Sequence, residues 1–352
     1  MVQGVRVIPV PGSMEEVDFF IKKNILFCNM IKIADKEIPS NIIMASMSGC
    51  TDLAFRTMAR RYGTKLCFFE MLDAMPLIIK NARVLRMLKT NSKDRPIAAQ
   101  LLGGDPLKML DAAYVLLDAV PDIAFLDINS ACPVQKILKR KAGGYLMRSP
   151  DALIKTARIL SDKLRLPVTV KIRAGFDKID PAFLAGLARR LEDNGISAIF
   201  MHGRTCKQMY SGKVDYASIR EVKNAVSIPV FGSGDIFSPE LAKKMIDETG
   251  CDGITVARGA LGAPWIFKDI EDCLEIKKFT EHKNIFSKRK RAMKEHIEYI
   301  IKYRKDKIER NFGFMKKIAM WYIKGFPDAT TLRNNVYKTK NYHEFMDLVK
   351  TI

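Results

Sequence analysis

The sequence lacks several features that would have fixed its class at once. None of its seven cysteines (28, 50, 67, 132, 206, 251 and 273) is spaced Cys-x-x-Cys. That removes the usual framework of a zinc knuckle or an iron–sulfur centre, so no metal is expected. No apolar run reaches membrane-spanning length, and the N-terminus has no basic start, long apolar stretch and small-residue cleavage site in series. The expectation is a protein without membrane segments whose odd, scattered thiols sit in a reducing cytoplasm. A Gly-x-Gly-x-x-Gly turn after the first strand-like run is missing, as is a Walker-type phosphate loop. Acidic residues are also short: 39 Asp and Glu face 59 Lys and Arg, a net charge of +20 and a pI near 9.6. An excess of that size points to a polyanionic partner, nucleic acid ahead of a membrane surface, with an inert basic surface as the plainer alternative.

What is present is a folded, repetitive chain. An apolar fraction of 48% excludes a disordered or fibrous reading, and 352 residues suffice for one large domain and a smaller one. Short runs rich in β-branched and aromatic residues recur at 41–46, 65–70, 96–102, 122–128, 167–173, 197–202, 228–232 and 252–257. Amphipathic stretches of helical period lie between most of them, as at 181–193 and 238–248, with Pro181 and Pro239 where a first helical turn tolerates proline. Eight strands alternating with helices predict an α/β fold, a (β/α)8 TIM barrel, with a doubly wound sheet as the alternative. From about residue 268 the strand signals stop. Met293, Ile297, Ile300, Ile301 and Ile308 mark one helical face, and 268–352 holds 21 Lys and Arg against 12 Asp and Glu. The expected organisation is an extension over 1–28, a barrel over 29–267 and a smaller all-helical domain over 268–352.

In a parallel barrel, ligands bind at the C-terminal strand ends. The fourth run ends Asn129-Ser130-Ala131-Cys132-Pro133, and Pro133 bars a helix from starting before it, so Cys132 is held at the rim. On its own a cysteine is more often a small core residue. The other runs supply partners: Ser46-Met47-Ser48-Gly49, Glu70-Met71, Gln100, Lys171-Ile172-Arg173, His202-Gly203-Arg204, Ser233-Gly234-Asp235 and Ala257-Arg258-Gly259.

This set suggests flavin chemistry. The glycine-rich turns after the seventh and eighth runs, with Arg258 opening the next turn, can hold a phosphate. Lys171 can neutralise negative charge near the ring's N1 and O2, and Gln100 can pair with its imide edge through both donor and acceptor. Cys132, with an ordinary thiol pKa of about 8.5, stays protonated at neutral pH and can donate a proton to C5 of a pyrimidine reduced at C6. His202 reads as a hydrogen-bond partner of substrate or flavin; pairing with the cysteine is the alternative.

Residues 41 to about 270 resemble the tRNA-dihydrouridine synthases. The segments that carry the resemblance are MASMSGCTDLAFR (44–56), FEM (69–71), AAQLLG (98–103), DINSACPVQKILKRKAGGYLM (127–147), VTVKIRAGF (168–176), MHGRTCKQMYSGKVDY (201–216), FGSGDI (231–236) and ARGALGAPWIF (257–267). WYIKGFP (321–327) is similar to the family's C-terminal helical domain. The resemblance implies an FMN-dependent enzyme that reduces a uridine of tRNA with NADPH as electron donor. It implies Cys132 as proton donor, and Ser46, Met47, Ser48, Gln100, Lys171 and His202 around the flavin ring. Ser233, Gly234, Asp235, Ala257 and Arg258 would hold its phosphate end. Asn129, Lys136, Lys139, Arg140 and Arg204 are expected on the substrate side, with the basic tail binding tRNA and a flipped-out uridine entering the barrel mouth. The partner expected is tRNA alone, the protein acting as a monomer.

Five positions depart from the family's pattern. Ser46 replaces a proline, Ala131 and Ala257 replace glycines, Ser233 replaces an asparagine and Ile318 replaces a histidine. Two other functions stay open on sequence alone: an FMN barrel reductase of a free pyrimidine, dihydropyrimidine or dihydroorotate in type, and a noncatalytic RNA-binding barrel.

Overall fold

The structure is a computed structural model that describes residues 30–275, 282–304 and 308–352. The extension expected over 1–28 lies outside the described residues. A short antiparallel hairpin, β1 (Ile31–Ile33) and β2 (Lys36–Ile38), leads into the barrel. Then come β3 (Ile42–Met44), β4 (Cys67–Phe68), β5 (Leu72–Asp73), β6 (Ile97–Leu102), β7 (Leu126–Asn129) and β8 (Val168–Arg173). Strands β9 (Ile196–His202), β10 (Val230–Ser233) and β11 (Gly253–Val256) complete the set. All but β5 of the nine later strands pair in parallel around a ring that closes where β11 meets β3; β5 is added to the edge of β6. The fold is the eight-stranded TIM barrel that the alternating pattern predicts, and the doubly wound alternative is excluded by the closure. Strands buried on both faces explain near-continuous apolar runs such as Ile97–Leu102, where all six residues are buried.

The barrel's lower interior is an aromatic plug. Phe68, Phe125, Phe200 and Phe231 pack together, Phe200 stacking on Phe231 at 4.7 Å between centroids. Ile33 and Ile38 of the hairpin, 0% and 1% exposed, join this plug. The N-terminal end is thereby shut, and only the opposite end is open to a ligand.

The helices start where polar caps and prolines put them. These are α1 (Leu53–Arg61), α2 (Ala74–Ile78), α3 (Ala82–Met87), α4 (Pro106–Ala119), α5 (Gln135–Leu138) and α6 (Pro150–Lys163). Around the rest of the barrel follow α7 (Pro181–Asp193), α8 (Tyr216–Ala225), α9 (Pro239–Thr249) and α10 (Ile266–Leu274). Asp180 caps α7 and Ser238 caps α9, each ahead of a proline in the first turn.

The tail is helical: α11 (Ile285–Arg304), α12 (Ile308–Ile323), α13 (Ala329–Lys338) and α14 (Tyr342–Thr351). Met293, Ile297 and Ile300 are buried on α11, as the spacing predicts. Ile301 is 36% exposed instead, and Ile308 opens the next helix, so the expected five-residue face is three residues long. Helix α11 packs on α1, where His296 stacks on Phe55 at 5.6 Å and hydrogen-bonds to Tyr322. Gly262, at φ +74°, lets the chain after β11 approach α12; a Cβ there would meet the Trp321 carbonyl oxygen at 2.1 Å. The tail is therefore docked on the barrel by close contact. Among the described residues, no helix is long and apolar enough to cross a membrane.

Candidate active site

The C-terminal strand ends enclose a cavity of about 500 Å³. Its walls bring together Ser46, Met47 and Ser48 after β3, Gln100 on β6, Asn129 on β7, Cys132 beyond it, Lys171 on β8 and His202 on β9. Ser233, Gly234 and Asp235 from the end of β10 and Ala257 and Arg258 after β11 line the opposite side. Every residue expected to touch a cofactor thus lies in one cavity, with Cys132 on its wall.

Cys132 is held through its backbone. Asn129 Oδ1 accepts the N–H groups of Ala131 (3.1 Å) and Cys132 (2.9 Å), and the Cys132 carbonyl accepts from Gly144 N at 2.9 Å. From below, Arg173 donates to the carbonyls of Ala131 (2.7 Å), Thr205 (2.9 Å) and Met209 (2.8 Å), tying the cysteine loop to the loop after β9. Gly143, at φ +59°, and Gly144 are needed here, since a Cβ on Gly144 would lie 2.9 Å from the Cys132 carbonyl oxygen. Burial raises the Cys132 thiol above its ordinary pKa, against smaller opposing pulls from the Val134 N–H and Arg173. The sulfur is therefore a protonated acid at neutral pH.

The neighbouring groups have defined states. His202 is neutral: burial first, then Arg173, Lys171, Arg204 and Arg258, push its pKa down to about 2. Burial also lowers Lys171, with Asp127 opposing and Arg173 reinforcing. Gln100 accepts from Asn129 Nδ2 at 2.7 Å and donates to Asp127 at 2.7 Å.

At the far end, Asp235 sits at φ +49° and carries a lowered pKa, chiefly through its hydrogen bond from Arg204. Arg258 donates to its other oxygen at 2.9 Å and lies over the rings of Tyr210 (4.5 Å) and Phe237 (5.5 Å). Ser233 Oγ donates to the Met201 carbonyl, and Gly259 allows a backbone approach in which a Cβ would meet Ile236 O at 2.0 Å. Ser46 Oγ is buried beside the cavity with no hydrogen-bond partner among the described residues. An amide edge, an ammonium, a neutral imidazole, an orphaned hydroxyl and an arginine-bearing glycine turn fit a planar, phosphate-bearing heterocycle.

The expected substrate residues divide. Asn129 lines the cavity, and Lys136 and Lys139 are exposed on the short helix next to Cys132 without lining it. Arg140 is committed to Asp73 through two hydrogen bonds, one of 2.8 Å. Arg204 is not brought to the cavity at all. It is 2% exposed and is bound to the Gly212 carbonyl (2.7 Å) and to Asp235, behind the turn of residues 233–235. His202, two residues earlier, lines the cavity while Arg204 is buried behind Asp235, a difference that residue spacing alone does not reveal.

Two side chains hold Gly49: Glu70, which the strand-end pattern marks, and Lys317, which carries no local sequence signal. Lys317 of α12 donates to the Gly49 carbonyl at 2.7 Å, and buried Glu70 accepts the Gly49 N–H. Gly49 is thus held at both its N–H and its carbonyl, one of the two partners being supplied by the tail. Arg304 pairs with Asp52 at 2.9 Å just beyond.

Comparison of the chain with known proteins points to one family. The chain is 38% identical over 245 residues to the tRNA-dihydrouridine synthase B of Vibrio cholerae, covering 70% of this chain and 75% of that one. It is 33% identical over 329 residues to a probable tRNA-dihydrouridine synthase 1 of Synechocystis, covering 92% and 89%. Among solved structures, a histamine dehydrogenase from Rhizobium sp. 4-9 shares the fold at 14% identity and a TM-score of 0.55, over 79% of this chain and 51% of that one. The family model for dihydrouridine synthase matches residues 43–352. The chain belongs to the dihydrouridine synthase family.

Proposed function

We propose that this protein reduces the C5–C6 double bond of a uridine in tRNA, with FMN in the barrel mouth, NADPH as electron donor and Cys132 as the proton donor to C5. The observation that carries the reading is the meeting of a protonated Cys132 with Gln100, Lys171 and His202 in one cavity at the strand ends. FMN, when bound, supplies the hydride equivalent for C6. Everything else falls to the chain. Gln100 presents an amide to the ring's imide edge, and Lys171 faces the ring's N1 and O2 side. The turn of Ser233, Gly234 and Asp235, with Ala257 and Arg258, holds the phosphate; Ser46, Met47 and Ser48 flank the ring. His202, being neutral, offers one donor and one acceptor without adding charge. Asn129 orients the cysteine and meets the base.

The target base must leave the tRNA stack to reach this depth. Lys136 and Lys139 beside the mouth and the cations of the tail supply phosphate contacts. Arg204 serves the phosphate-end turn through Asp235 and does not contact substrate. We assign residues 29–267 to the catalytic barrel and 268–352 to the tRNA-binding domain, in a monomer that works in the cytoplasm. Mapping dihydrouridine in tRNA from cells with and without the protein tests the proposal. Loss of the modified base at one or more positions is expected. An unchanged map, or turnover of free uracil or dihydroorotate with none on tRNA, would overturn it.

A further inference from the structure

Beneath the cavity, and not lining it, lies a carboxylate that the reaction as proposed does not use. Asp127 is 0% exposed and stands on β7 between Phe125 of the aromatic plug and Asn129 of the cavity, all three facing the barrel interior. Its Oδ1 accepts from Thr169 Oγ1 at 2.7 Å and its Oδ2 from Gln100 Nε2 at 2.7 Å. From Gln100 the bonds continue upward. Gln100 Oε1 accepts from Asn129 Nδ2 at 2.7 Å, and Asn129 Oδ1 accepts the backbone N–H groups of Ala131 and Cys132.

The two ends of this chain are chemically one-sided. Burial raises the Asp127 pKa to about 6, against the hydrogen bonds from Gln100 and Thr169 and the nearby Lys171, so at neutral pH it is an ionised carboxylate that only accepts. A backbone N–H only donates, whereas each amide between them can flip end for end. With an acceptor below, Gln100 must turn its NH2 downward and its oxygen toward Asn129. Asn129 must then turn its oxygen toward the cysteine loop. We propose that Asp127 is a positioning residue whose acceptor oxygens fix the sense of the Gln100–Asn129 relay, and so set both the flavin-facing edge of Gln100 and the backbone of Cys132. The inference rests on the flavin reading for its first half only; the cysteine half stands on the hydrogen bonds alone.

Two substitutions separate the roles. Asp127→Leu places an apolar side chain there that accepts nothing; it leaves Gln100 Nε2 and Thr169 Oγ1 without their acceptor, so stability is followed alongside. Asp127→Asn keeps an oxygen for Gln100 Nε2 and turns its NH2 to the Thr169 hydroxyl, so the relay keeps its sense. The readouts are the FMN dissociation constant of the apoprotein, the rate of Cys132 alkylation by iodoacetamide followed on its own peptide, and the melting temperature. Asp127→Leu should weaken FMN about tenfold or more, the loss of one buried hydrogen bond, and should speed Cys132 alkylation at least about fivefold while folding is kept. Asp127→Asn should stay within about threefold of the unmodified protein on both. If Asp127→Leu does not fold, Asp127→Ala takes its place on the same criteria. An acceptor-less variant with native FMN affinity and native alkylation overturns the inference, and so does an Asn variant as impaired as the Leu one. If the unmodified protein takes up no FMN, the flavin reading fails, while the alkylation comparison still decides the relay.

Discussion

Replacing Cys132 with alanine removes the sulfur of the proposed proton donor and little else. The loop is held by Asn129 Oδ1, by Gly144 N and, through Ala131, by Arg173, all of them backbone contacts that an alanine keeps. Truncating one half-buried sulfur costs about 1 kcal/mol of stability, so fold and cofactor site should persist. The rate should behave differently. A positioned general acid contributes about 10²- to 10⁴-fold, so Cys132→Ala should slow dihydrouridine formation by that range, about 3–5 kcal/mol of barrier.

The assay measures two things on the same preparation: flavin reduction by NADPH, and dihydrouridine formed when the reduced enzyme meets tRNA. The first should be unchanged and the second slow. The pH profile carries a further sign. Cys132 works in its protonated form, and burial raises its pKa, so the rate attributable to it should be flat through neutrality and fall only as pH rises past that raised value. The Ala variant should lack this alkaline fall. Native turnover in Cys132→Ala, or a rate that climbs as the thiol ionises, would refute the assignment and point to a nucleophilic cysteine instead.

The remaining expectations test the surroundings. Changing exposed Arg291 and Lys302 of α11 to Glu should weaken tRNA binding and flatten its salt dependence, with FMN still bound; salt-independent binding, measured by filter retention, would count against phosphate contacts. Arg204→Met should destabilise the fold by about 2–3 kcal/mol, less than a fully buried pair because Asp235 is partly exposed, and should loosen FMN while sparing tRNA affinity, as denaturant melts and titrations can show. Asp94 accepts from Arg56 (2.9 Å) and Arg60 (2.9 Å), and both Arg56 and Asp94 are buried. Asp94→Ala should therefore cost about 3–5 kcal/mol in chemical denaturation, and a loss below about 1 kcal/mol would show that the pair is not carrying α1.

The barrel was legible because its strands are buried on both faces and its helices open on Asp-Pro and Ser-Pro pairs, both of which are local signals. Cys132 was legible for the same reason: Pro133 fixes where its strand ends. The hairpin Ile31–Ile38 was not, because three residues a side give no period to read, and its two isoleucines matter only once the plug exists. Arg204 shows the opposite failure. Its segment marks the family, but a side chain two residues past a strand end points out or in according to the next turn. Here Gly203 N–H reaches the Ser233 carbonyl and Asp215 N–H reaches the Gly203 carbonyl, and the guanidinium is folded behind the turn.

The tail presents the same limit at larger scale. Its helices and its charge can be read from the sequence, and charge of that kind invites a purely electrostatic role. Yet Lys317 donates to the Gly49 carbonyl, Glu70 accepts the Gly49 N–H, and Arg304 pairs with Asp52 at the start of α1. One cation of the tail is therefore spent on the cavity wall, more than 260 residues away in sequence from the turn it steadies. If the tail binds tRNA as proposed, a helical domain that also holds the turn at Gly49 need not transmit anything to be coupled to it. Displacing α12 would break the Lys317 contacts directly, so on the proposed function a tRNA that shifted this helix would act on the turn after Ser48 through that one side chain.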